Sequence, residues 1–544
     1  MRDMDLLTGA LLVAVWAFIA MIDAVGPKVF LGILPLFGGL ITGVILGDPT
    51  TGLLIGAYMQ LVSLGLIPIG GSVPPDMASA TFFFTAVAIL QGMEVIVPGG
   101  VTEAGAALFG FALAVAFIGQ QLDILARTVN ISLIHAAERK IEEGSLDAVG
   151  RLHFLGFIPW GLSRAIPTFF AVWLGGEYIE EFVAFMEKYA GWVLTGLAGM
   201  ATILPAVGLA ILLSFLPFRR KPMYFIVGFA VSLLTLVMLY GVQIVSFDWI
   251  ALLITSIIGG LVAWLKVRGK YEAKEEAGVQ PTYKPLLDNK TLNNVFLHFL
   301  TFEASWNYER MQALGYLYTI LPGLKKIYED KDELKEAMKL HLEFFNCNPI
   351  ITSIIIGANL ALEEQIRGKD RDAIRNFKAA MMGPMAGIGD ALFYFLIMGM
   401  ILLYASTLAY NNVVMLAPIA GLILLDIITL GFRYWSLKAS YKRGLTMLQT
   451  MGARFQRLRE GAELLGLVVI GAFIPVIVKI GTPLFPITTA AGILLSGILA
   501  LPIFFLAYYL LRKGFSPIRT LLVLMAVGFI LGALGLISLG IGGM

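Results

Sequence analysis

The chain is 544 residues long, 58% hydrophobic and only 14% charged, with a mean hydropathy of +0.85 and a formal net charge of +2. That apolar share excludes an ordinary soluble domain, and the near-balanced charge leaves no footprint for nucleic acid. A single cysteine, Cys347, excludes an intrachain disulfide and a thiolate cluster; the four histidines fall in neither H-x-x-x-H nor H-E-x-x-H spacing, so no metal or cofactor is expected.

The opening MRDMDLLTGALLVAVW has no basic leader and no small-residue cleavage site, and reads as a retained first helix. Apolar runs near the roughly 20 residues that cross a bilayer recur after it. Those at 191–217, 223–241 and 487–511 are examples, and together they predict an all-α polytopic membrane protein. Inside such runs an amide or ionisable side chain is costly and marks a candidate site. Gln60, in GLLIGAYMQLVSLGLIPI, is either a ligand contact or an interhelical hydrogen bond. IPIGGSVPPDMA at 67–78 then interrupts the run with two glycines, three prolines and an aspartate. Asp76 fits either an N-cap of the next apolar helix or a ligand contact.

Basic residues orient the helices. Arg139, Lys140 and Arg151, then Arg219, Arg220 and Lys221, then Lys266, Arg268 and Lys270 mark cytoplasmic loops, while 176–190 and 243–249 fit the outer side. Downstream, 433–459 and 512–519 are basic and 481–486 is uncharged, which leaves Met544 outside. The polar tract from Lys266 to about Asn294, with Pro281 and Pro285, reads as a cytoplasmic linker. The resulting division is a membrane unit at 1–266, a linker at 267–293, and a second unit at 294–544, with amphipathic helices at 294–380 and membrane helices at 381–544.

In the second unit FEASWNYERMQALGY, if helical, places Ser305, Glu309, Gln312 and Tyr316 on one face with Trp306 and Arg310 alongside. Carboxylate, amide, guanidinium and indole together suit a polyhydroxylated ligand; the alternative is an internal Glu/Arg network. MGPMAGIGDA at 382–391 echoes the first Gly/Pro break and ends in Asp390, so the two segments are expected to be re-entrant tips meeting near mid-membrane. Asp370 and Asp372 of KDRD could form a metal-binding D-x-D but sit in a charged loop that reads as a solvated turn.

These stretches also carry a family resemblance. LGDPTTGLLIGAYMQLVSLGLIPIGGSVPPD at 46–76 and RTVNISLIHAAERKIEEG at 127–144 resemble the IIC component of the mannose-family sugar phosphotransferase system. SWNYERMQALGY, HLEFFNCNP, LALEEQ, MGPMAGIGD and EGAELLGL, in order through the second half, resemble its IID component. Two departures stand out: the components are joined in one chain, and Gly32, Ile33 and Leu34 before Pro35 are apolar where many IIC chains are polar or basic.

The resemblance implies a sugar-translocating permease of the inner membrane, a homotrimer moving by an elevator-like shift, with a separate soluble IIB protein phosphorylating a hexose or amino sugar. No catalytic residue is then expected in this chain. The candidate substrate contacts are Gln60 and Asp76, with Trp306, Asn307, Glu309, Arg310, Gln312, Asn346 and Asp390. Rival readings are a secondary transporter of the same fold uncoupled from phosphorylation and a membrane glycosyltransferase built on KDRD.

Overall fold

The computed structural model describes residues 4–64, 66, 73–97, 100–214, 216–241, 248–268, 285–412, 414–443, 446–481, 487 and 489–539. Eight helical runs among them are long and apolar enough to cross a membrane: Leu6–Val25, Glu103–Glu142, Ala148–Ile179, Gly191–Ser214, Pro222–Gly241, Arg371–Asn411, Leu416–Arg443 and Ala490–Arg512. The chain is a multi-pass helical membrane protein. Sheet among the described residues is confined to two short antiparallel pairs, Ile96–Val97 with Gly100–Val101 and Ile480–Gly481 with Ser538–Leu539.

Local chemistry sets the helix ends. Asp48 accepts the Thr51 N–H while Pro49 occupies the first turn, and Thr102, Asp288, Thr489 and Ser516 cap their helices in the same way. Asp370 caps Arg371–Gly389 and Asp372 pairs with Arg375, so KDRD is a helix start.

Close contacts run through glycine, where the missing side chain lets backbones approach. Gly39 and Gly43 of Pro35–Leu46 face Gly52 and Gly56 of Pro49–Ser63; a Cβ on Gly39 would stand 2.6 Å from the Gly56 Cα. The first and second halves meet in the same manner. Gly191–Ile203 packs on Pro517–Ala533 through Gly199, Gly528 and Gly532, and Pro222–Gly241 packs on Thr446–Ile477. There, a Cβ on Gly228 would lie 1.8 Å from the Val468 carbonyl oxygen, and one on Gly471 would lie 2.2 Å from that of Phe225.

The amphipathic helices after the linker form a second core, to which the first half contributes Ile134, Ala137, Ile141 and Val149. The tract expected as linker is ordered at its end. Helix Asn289–Phe299 starts inside it, and the Leu286 and Leu287 N–H groups donate to Glu364 and Tyr441; residues 269–284 lie outside the described residues.

Two expectations are corrected. The stretch 302–312 is not helical, because the Asn307 carboxamide oxygen accepts the Glu309 and Arg310 N–H groups and Met311 takes a positive φ of 54°; the helix starts only at Ala313. The second Gly/Pro segment is not a re-entrant tip. Arg371–Gly389 runs through Pro384 into a π-helical stretch, Asp390–Met398, and on into Gly399–Asn412, so a widened turn absorbs what a break was expected to absorb. Of the first segment, residues 67–72 lie outside the described residues.

Candidate functional site

Between the halves lies a cavity of about 550 Å³, in the size class of small-ligand sites. Its wall is mostly apolar, with charged and amide groups from both halves converging on it.

On the first-half side Asp76 caps Met77–Leu90, accepting the Ser79 N–H at 3.2 Å, and also faces the cavity. Its carboxylate reaches there because position 119 is glycine: a Cβ would stand 2.4 Å from Asp76 Oδ2. Arg164 lies 3.2 Å from that oxygen through Nε and 2.6 Å from Asp123 Oδ2 through its terminal nitrogen. Asp123 in turn takes Arg127, four residues on along Glu103–Val129. All four side chains are at least nine-tenths buried. Two carboxylates and two guanidiniums thus neutralise one another where a lone charge would be prohibitive.

Arg127 carries this network to the second half. Its guanidinium lies 4.4 Å from the Trp306 ring centroid and 5.1 Å from that of Trp160, and Asn130 donates to the Trp306 carbonyl. A second ionic bridge is made by Lys28. The Asp23 carboxylate accepts the Val29, Phe30 and Leu31 N–H groups, folding the loop so that Lys28 meets Glu303.

On the second-half side Gln312 is held at both ends: its oxygen accepts the Cys347 N–H at 2.8 Å and its nitrogen donates to Glu303 at 3.2 Å. Asn348 donates to Asp390 at 2.8 Å while accepting the Ile350 N–H. Burial pushes the Cys347 thiol on this wall up to about 12, which disfavours the thiolate.

Comparison with known proteins matches each half separately. Residues 7–257 match the family described as the sorbose-specific IIC component, and residues 286–537 the mannose/fructose/sorbose family IID component. The mannose-specific EIID component of Escherichia coli K12 is 33% identical over 279 residues, covering 48% of this chain and 98% of that protein. The chain belongs to the mannose/fructose/sorbose family of phosphotransferase-system permeases. The fructose permease IID component of Bacillus subtilis is 34% identical, over 46% of the permease and 95% of that relative. The sorbose-specific EIIC component of Lacticaseibacillus casei is 34% identical, over 36% and 67%. Each relative spans one half, so the permease joins a IIC and a IID component in one chain. Membership of a family of phosphotransferase components favours a group-translocating sugar permease over an uncoupled secondary transporter.

Of the residues singled out from the sequence of this permease, Gln60, Asp76, Trp306, Gln312, Asn346 and Asp390 line the cavity. Gln60 also accepts the Leu36 N–H at 3.4 Å, so packing and exposure coexist. Asn307, Glu309 and Arg310 do not line it. Asn307 is fully buried and organises its own turn; Glu309 lies 2.8 Å from His135, and Arg310 lies 3.1 Å from Glu138. Their roles are to form the turn and to tie it to the helix Ile131–Glu142 of the first half, which matches the internal-network alternative.

Sequence reasoning missed Lys28, Asp123, Arg164, Glu303 and Asn348. Asp123 and Arg164 carried a signal: both are ionisable residues inside long apolar runs, as Gln60 is an amide in one. Lys28 and Glu303 lie in short loops 275 positions apart, and only the tertiary fold makes them meet.

Proposed function

We propose that the cavity binds a hexose or amino sugar between the two halves, for phosphorylation at the cytoplasmic face by a separate phospho-IIB protein. The observation that carries this reading is the cavity wall itself, where amides from both halves, Gln60 and Asn346, and the Trp306 ring stand around the buried Asp76–Arg164 ion pair. A sugar hydroxyl donates and accepts through one oxygen, which matches the donor and acceptor that each amide carries. Trp160, whose buried indole N–H makes no hydrogen bond among the described residues, stands on the same wall.

On this reading 1–266 is the IIC unit, 267–293 the linker and 294–544 the IID unit. The chain sits in the inner membrane with the linker cytoplasmic and the C-terminus outside, and it works as a homotrimer. An elevator-like shift carries the cavity across. Sugar uptake into vesicles, with and without a cognate IIB protein and phosphodonor, tests the coupling. Accumulation of phosphosugar only in their presence is expected; free sugar accumulating on an ion gradient alone would sink the proposal.

A further inference from the structure

We infer that the basic end of the helix Leu416–Arg443, together with the helix Asn289–Phe299 lying against it, forms a binding site for one anionic phospholipid of the phosphatidylglycerol kind. This goes beyond the sugar-binding reading and does not depend on it.

Leu416–Arg443 is one of the helices long and apolar enough to cross the membrane, and its outward side changes chemistry along its length. Ile427 is 66% exposed, Gly431 follows with open space where a side chain would stand, then comes Trp435 at 53%, and Lys438 and Lys442 end the run. Ile427, Gly431 and Trp435 recur every four residues and share one row; Tyr434, Lys438 and Lys442 form the adjacent row in the same way. At about 1.5 Å of rise per residue Ile427 lies roughly 16 Å along the axis from Lys438, close to half of a hydrocarbon core about 30 Å thick. One leaflet therefore matches this surface, with ammonium groups at headgroup level and an apolar track, notched at Gly431, reaching toward the midplane.

The second helix turns this belt into a site. The Leu287 N–H donates to the Tyr441 hydroxyl at 2.8 Å, the Tyr434 hydroxyl donates to Asn293 Oδ1 at 3.2 Å, and the Phe296 ring stands edge-on to Tyr434 at 5.2 Å. These contacts set Asn289–Phe299 antiparallel to its neighbour, so Lys290 falls near the level of Lys438, and Leu297, 60% exposed, near that of Gly431. Both helices are then basic at one end and apolar at the other, in register. Tyr434 also fixes Lys438, whose ammonium donates to its hydroxyl and lies 4.1 Å from its ring centroid.

Lys290, Lys438 and Lys442 make no ion pair among the described residues, and the neighbouring Asp288 carboxylate is engaged by the Thr291 N–H. Three such ammonium groups complement the charge and acceptor oxygens of a phosphodiester, while the apolar rows accept an acyl chain. A choline headgroup brings its own cation and cancels the charge match. A soluble phosphate makes no use of Gly431 or Leu297.

The test is native mass spectrometry of the full-length permease in detergent, titrated with palmitoyl-oleoyl phosphatidylglycerol or with the phosphatidylcholine of the same chains. One phosphatidylglycerol per chain should bind about tenfold more tightly than phosphatidylcholine. Lys438→Gln should weaken it about fivefold, the loss of one lysine beside an anionic headgroup, and Gly431→Leu, which fills the notch, should weaken both lipids. Lys513→Gln should leave binding unchanged: Lys513 stands over Tyr509 at the end of Ala490–Arg512 in a similar manner but outside the site. Equal affinities for the two lipids, or equal losses from Lys438→Gln and Lys513→Gln, would reduce the site to a general basic belt and overturn the proposal. Displacement of the lipid by inorganic phosphate at equal concentration would assign the lysines to a soluble anion, and a change of oligomeric mass on Gly431→Leu would assign the face to a second copy of the chain; either result would overturn it as well.

Discussion

The two halves touch in two chemically opposite regions. In one, Pro222–Gly241 and Gly191–Ile203 press on Thr446–Ile477 and Pro517–Ala533 through glycines that leave no room for a methyl group. In the other, around the cavity and beside it, the halves are joined by polar side chains: Lys28 to Glu303, Arg127 over Trp306, His135 to Glu309, Glu138 to Arg310, and His153 to Ser305. A glycine-mediated contact is lost all at once when helices separate, because dispersion falls off within an ångström or so. The partly exposed pairs among these, His135 with Glu309 and Glu138 with Arg310, exchange with solvent at little net cost. The first region is therefore suited to holding the halves together, while the exposed pairs of the second add little to stability.

The largest expected effect breaks the first region. Gly228→Leu forces a side chain into the Val468 carbonyl and should cost about 3 kcal/mol or prevent assembly, read as loss of the thermal transition of purified protein. If Gly228→Leu unfolds at the wild-type temperature, this contact does not hold the halves.

An intermediate effect comes from a buried polar pair inside the second half, which calibrates the interface. Burial lowers the His341 pKa from its ordinary value near 6.5, only partly offset by Glu363, whose carboxylate accepts its Nε2–H. Burial alone would raise Glu363, but the hydrogen bonds from His341 and Tyr328 outweigh it and hold it low. Both groups bind fewer protons folded than unfolded, so their stabilisation is present above their ordinary values and lost as pH falls. Stability should decline once pH drops below about 6.5, by up to roughly 1.4 kcal/mol per unit for one proton, and His341→Gln should flatten that slope. A slope unchanged by the substitution would assign the pH dependence elsewhere.

The smallest effect breaks the second region. Glu138→Gln removes a half-exposed partner of Arg310 and should change stability by no more than about 1 kcal/mol. Hydrogen exchange at 307–312 should nevertheless rise, and rise again in high salt, if this contact opens in solution. Unaltered exchange there would make the polar region as fixed as the glycine one.

Much of this was legible in the residues. Hydropathy found the spans, because crossing a bilayer depends on a local sum over about 20 residues. The Asp76 cap was visible from its position ahead of an apolar helix. Two local readings failed for identifiable reasons: Asn307 captures backbone N–H groups that a helix needs, and a π-helical stretch at Asp390–Met398 takes the place of a break. Helical periodicity alone signals neither.

The sequence by itself thus determined a helical membrane protein in two halves and a set of polar residues too costly to be incidental. Only the tertiary structure decided which of them share a cavity. It brought Lys28 to Glu303 across 275 positions and Arg164 to Asp123 across 41, and it set Asp390 against the Asn348 amide across 42. Charge balance in a low-dielectric site depends on distances between residues far apart in the chain, which no local pattern contains.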